Sequence, residues 1–99
     1  MIESFVEGRI RLRSPLFSDP EIAELVKEGL LKIDGVVRAE ANPRTSGLLL
    51  EYDKERLPLS RLTCAAPLIA DIGALESLPA AERPAAARRL MEDLRAALE

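Results

Sequence analysis

Metal and nucleophilic chemistry draw first on cysteine and histidine, and this chain carries one cysteine, Cys64, and no histidine. Soft ions such as copper(I) and zinc are held by several thiolate or imidazole donors. A lone thiol closes no such site unless a second copy shares it. The flanks of Cys64, namely Leu62, Thr63, Ala65 and Ala66, instead predict a small buried hydrophobe, because free cysteine is among the most buried residue types. Nucleophilic catalysis is equally short of parts, since a serine or cysteine needs a base beside it. The carboxylates Asp19, Glu21, Glu24 and Glu28 lack the loop spacing of a calcium or magnesium site. They read as the solvated face of a helix, favourably placed near its N-terminus. The expectation is no enzyme, no cofactor and no metal held by one chain.

Arg9, Arg11 and Arg13 alternate along a strand pattern and so share one side of it. Such a row is either a solvated face or a docking surface for an acidic partner. If the strand lies beside Leu48–Tyr52, the outward positions Leu49, Glu51 and Asp53 would supply cross-strand acids that neutralise much of it. Leu16 and Phe17 form an apolar pair just after that strand, fitted to packing over the sheet end or to a small contact patch. Near the C-terminus Ala87, Leu90, Met91, Leu94, Ala97 and Leu98 form a helical stripe. That stripe suits either the core or a seam for a partner helix.

The elements that must position these residues follow from periodicity. Val6, Ile10 and Leu12 alternate with charged residues, which predicts a half-buried strand over Val6 to Ser14. A helix start follows in Ser18-Asp19-Pro20-Glu21. Ser18 with Glu21 has capping-box spacing, whereas Asp19 with Pro20 fits an N-cap followed by proline at the first helical position. Ile22, Leu25, Val26, Leu30 and Ile33 then mark one helix face, on which Gly29 also lies. Glycine costs a helix about 1 kcal/mol relative to alanine. Close approach to a sheet, opposite Val37, Leu48 or Leu50, would compensate. Asp34-Gly35 ends the helix with a residue suited to the left-handed conformation.

Val37, Ala39 and Ala41 alternate in a second strand, and Leu48, Leu50 and Tyr52 in a third, joined by the turn residues Asn42 to Gly47. The chain after Asp53 reads as helical: Leu57 to Ala66, a further helix opened by Pro67, a break at Pro79 to Pro84, and the terminal stripe.

At 99 residues with 47% hydrophobic and 31% charged, the chain has enough material for one folded domain and not for two. A net charge of −3 with mixed signs and three aromatic residues disfavours nucleic acid. One cysteine and no secretory pattern lead to the expectation of a reducing cytoplasm. No apolar run suits membrane insertion, so contact with a membrane would go through a partner.

The segments Gly8 to Arg13, Ile33 to Pro43 and Gly47 to Asp53, above all GVVRAEANPRTSGLLLEYD, resemble the heavy-metal-associated domain in its divergent second type. The resemblance implies a ferredoxin-like βαββαβ sandwich with sheet order 4-1-3-2 and relatives among metal-transport modules. Classical members carry Cys-x-x-Cys where this chain has Ser14-Pro15-Leu16-Phe17-Ser18, and Ile72 to Leu78 makes no clear fourth strand. The expected fold is therefore α+β, a βαββ core over residues 1–56 with an antiparallel sheet and a helical region over residues 57–99 completing the same domain. The expected function is a non-catalytic interaction or accessory module linked to metal transport or homeostasis. The alternative is metal binding through an unconventional or intersubunit site at Cys64. The candidate contact residues are Arg9, Arg11, Arg13, Leu16, Phe17, Leu90, Met91 and Leu94. A missing fourth strand would bare the outer edge of the first, so a homodimer through the C-terminal helical region is expected, beside a protein partner in a transport system.

Overall fold

A computed structural model describes residues 2–98; Met1 and Glu99, which end the two segments expected above, lie outside the described residues. Strands β1 (Ile2–Val6) and β2 (Arg9–Arg13) are followed by helix α1 (Pro20–Leu31), strands β3 (Val36–Asn42) and β4 (Gly47–Tyr52), and helices α2 (Leu59–Ala74) and α3 (Arg83–Leu98). Short 3₁₀ turns occupy Pro15–Ser18, Leu75–Ser77 and Ala80–Glu82. The sheet runs β1-β2-β4-β3 with every neighbouring pair antiparallel.

The predicted strand from Val6 to Ser14 is in fact broken by a hairpin. Gly8 takes φ +93°, so the chain reverses and Val6 pairs with Arg9. Glycine alone adopts that conformation without strain from a β-carbon. Val6 consequently leaves the face shared by Ile10 and Leu12 and is 63% exposed, while those two are buried. The hairpin also changes which strand stands at the edge. Among the described residues no strand follows β4, and β1 covers the outer edge of β2 from the N-terminal side. The bare edge expected from the missing fourth strand is closed within the chain.

Asp19, not Ser18, caps α1: its side chain accepts a hydrogen bond from the Glu21 amide at 2.9 Å, and Pro20 takes the first helical position. Gly35, at φ +98°, turns the chain into β3 as its position predicts. A register shift between Val36 and Arg38 moves Val37 off the core side, leaving it 69% exposed while Val36 is half-buried. The two helices expected around Pro67 are one, because α2 runs through it. Proline removes the bond to the carbonyl four residues back, and both Pro67 and Thr63 are on the exposed side, where that carbonyl meets water.

All three helices join one core with the sheet. Ile10, Leu12, Leu48, Leu50 and Tyr52 meet Ile22, Val26 and Leu30 from α1, Leu62, Ala65 and Ile72 from α2, and Ala87, Leu90, Met91, Leu94 and Leu98 from α3. Ala97 falls outside the buried stripe. Gly29 does approach a neighbour closely, but that neighbour is α3: a β-carbon there would lie 2.5 Å from Met91 Cγ. Helix α1 thus turns one flank to the sheet and another to α3, and the glycine sits on the second.

Candidate functional site

The Ser14 to Ser18 loop is closed on itself. The Ser14 hydroxyl accepts from the Leu16 amide at 3.2 Å and donates to Glu76 Oε1 at 2.5 Å, and Ser14 is 2% exposed. Ser14 also donates its amide to the Ser46 carbonyl, and Ser18 and Ser46 share a side-chain hydrogen bond. The Glu76 segment is itself pinned by Arg83, whose guanidinium donates to the Glu76 and Leu78 carbonyls at 2.9 and 3.0 Å. Leu16 and Phe17 are fully buried, so they pack over the sheet end and offer no contact patch. Every polar group named in this loop is an oxygen or amide engaged within the protein. The loop has no thiolate or imidazole to give a soft metal ion.

Cys64 is elsewhere. It stands on the exposed side of α2, which corrects the expectation of a buried thiol. Helix α2 buries Leu62, Ala65 and Ile72 and turns Thr63, Cys64, Ala66 and Pro67 outward. Among the described residues no three histidine, cysteine or acidic side chains converge in a way that could hold a metal ion.

Leu90, Met91 and Leu94 are buried between α3 and the rest of the core. The helical stripe is therefore part of the folding unit, and together with the covered β2 edge this removes the ground on which a helix-mediated dimer was expected.

What remains exposed is the helix-free face of the sheet. Arg9, Arg11 and Arg13 all project there, each exposed beside buried Ile10 and Leu12. Register decides which acids they meet. Arg9 lies opposite Glu51 and pairs with it at 3.9 Å. Arg13 lies opposite Gly47, which has no side chain, and pairs instead with Glu3 of β1 at 3.4 Å. Arg11 lies between Ser4 and Leu49, so no acid stands directly across from it. Asp53, expected as a partner for the row, falls past the end of β4 and accepts from the Glu55 amide.

On β3, Arg38 donates to Glu40, and this hydrogen bond with the adjacent carboxylate holds the Arg38 guanidinium still more firmly protonated than usual. The sheet face is thus a mosaic of opposite charges with a shallow depression of about 320 Å³ between Arg11, Arg13, Glu40, Asn42 and Gly47. Exposed ion pairs of this kind contribute little to stability, about 0–1 kcal/mol each. They leave a face whose charges are available to a partner. Sequence reasoning did not single out Glu3, Arg38 or Glu40, because their roles depend on the hairpin at Gly8 and on the pairing of β3.

No described helix is long and apolar enough to cross a membrane. The family model for heavy metal associated domain 2 matches residues 1–99. No curated protein and no solved structure matches the chain.

Proposed function

The chain belongs to the heavy metal associated domain 2 family, and from that premise we propose that it is a non-catalytic accessory module of a cytoplasmic metal-transport or metal-homeostasis system, acting through protein contacts. Family membership points to a metal-related role. The observation that carries the proposal is the Ser14–Ser18 loop, where the place of a Cys-x-x-Cys motif is taken by Ser14 bonded to Glu76 and by buried Leu16 and Phe17. A domain that keeps the fold and offers no donors at that loop is suited to docking and not to carrying the ion. The surface it presents is the charged sheet face, where Arg11 lies between Ser4 and Leu49 with no acid directly across from it. An acidic protein segment fits it.

A second reading is favoured by the exposure of Cys64. Two copies, each giving one thiolate, would bind copper(I) between them. The two readings separate on one experiment: native mass spectrometry of the protein purified from copper- and zinc-supplemented cells, repeated with Cys64→Ser. The accessory reading expects no stoichiometric metal in either protein. One ion per chain or per dimer, lost with Cys64→Ser, overturns it in favour of the second.

A further inference from the structure

The sheet ends in two edges, and they differ in ways that bear on self-association. On β1 the register shifts between Ile2 and Ser4, so regular pairing covers only Ser4 to Val6. On the other side β3 is the longest strand, and after its own shift it runs regularly from Arg38 to Asn42. It contains no proline and no lysine, and its core-side positions Ala39 and Ala41 carry no charge. Those are among the devices that ordinarily block an edge; β3 keeps two others, the shift at Val36–Arg38 and the exposed charges of Arg38 and Glu40, and those charges select the register. Among the described residues no strand neighbours the outer edge of β3.

We propose that β3 pairs antiparallel with β3 of a second copy about a two-fold axis through Ala39, joining two sheets into one of eight strands. This rests on the reading of the chain as a docking module and places its self-association on a sheet edge instead of the C-terminal helices. The charge pattern selects the register. With Ala39 on the axis, Arg38 of each copy lies opposite Glu40 of the other. A centre one residue later sets two Glu40 carboxylates face to face, and one residue earlier sets two Arg38 guanidiniums face to face. Opposed like charges destabilise a strand pair and opposite charges stabilise it.

Arg38 and Glu40 are both exposed, at 54% of each side chain, and both lie on the helix-free face. Across the sheet the row reads Arg9, Glu51, Arg38, and Glu40 of the second copy would follow. The signs alternate through the junction.

The test is light scattering of the full chain over a range of concentrations, with circular dichroism to confirm folding. Arg38→Glu or Glu40→Arg alone should weaken association by at least about tenfold, because two attractive pairs become repulsive. The double variant Arg38→Glu with Glu40→Arg restores both pairs and should restore the dimer. As an independent measurement, Ala39→Cys in a Cys64→Ser background should form a disulfide-linked dimer under mild oxidation, since axis positions of antiparallel strands lie within bridging distance. A monomer at every concentration overturns the proposal. So does a dimer unmoved by the single reversals, or one that the double variant fails to restore, and in those cases the loss concerns β3 alone and leaves the metal result above standing. Preferential pairing with a strand of another protein would overturn it as well.

Discussion

Met91 of α3 lies directly over Gly29 of α1, so close that a β-carbon on Gly29 would stand 2.8 Å from Met91 Cβ as well as 2.5 Å from its Cγ. The flexible end of Met91 can rotate away, but its Cβ is fixed to the backbone. The contact therefore sets how near the two helices come.

Gly29→Ala tests this, because two effects oppose each other. Alanine favours a helix over glycine by about 1 kcal/mol, while overpacking costs about 1–3 kcal/mol. With the fixed Cβ in the way the second should win, lowering the urea midpoint. Met91→Ala combined with it should recover part of the loss relative to the sum of the single changes. A Gly29→Ala protein more stable than the parent would show that the helices part without cost.

Ser14→Ala should cost about 1–2 kcal/mol by chemical denaturation, since it removes the cap on the Leu16 amide and the donor to Glu76 together. Glu76→Ala should cost less, because the Ser14 cap survives. Equal stability of Ser14→Ala and the parent would mean that the loop is held by Leu16 and Phe17 alone.

Gly8→Ala should lose about 1–2 kcal/mol, the cost of placing an L side chain in the left-handed region. Space is not the obstacle, as the nearest atom to a β-carbon there is the Tyr52 carbonyl oxygen at 3.6 Å. Amide hydrogen exchange should rise in Ile2–Val6 and Arg9–Arg13 before it rises in β3 or β4. A rise spread evenly over the sheet would argue against β1 as a separately weakened strand.

Much of the architecture was legible because it is local. The alternation Leu48, Leu50, Tyr52, the stop at Gly35, the helix start within Ser18-Asp19-Pro20-Glu21 and the terminal stripe, apart from Ala97, each follow from a few neighbouring residues and hold in the fold, while the structure chose Asp19 over Ser18 as the cap. The hairpin at Gly8 was hidden for a specific reason. Val6 keeps even spacing with Ile10 and Leu12, so a single straight strand satisfies the same pattern, and only pairing with Arg9 reveals the reversal.

Cys64 and Gly29 show where local reading stops. Helix α2 has apolar or small residues on nearly every side, with only Arg61 and Asp71 charged, so periodicity does not say which side faces inward. Packing of Leu62, Ala65 and Ile72 against the core chose it and turned Cys64 to solvent. The sequence determined that Gly29 needs a close neighbour, because glycine within a helix is costly; which neighbour depended on where α3 docked. The same division holds for the charged face. Residue types and alternation placed Arg9, Arg11 and Arg13 on one side of a strand, whereas the acids they meet were set by the order β1-β2-β4-β3 and its register. Alternation is a property of one strand, and cross-strand neighbours are a property of the sheet, fixed only when segments far apart in the chain bury their apolar faces together.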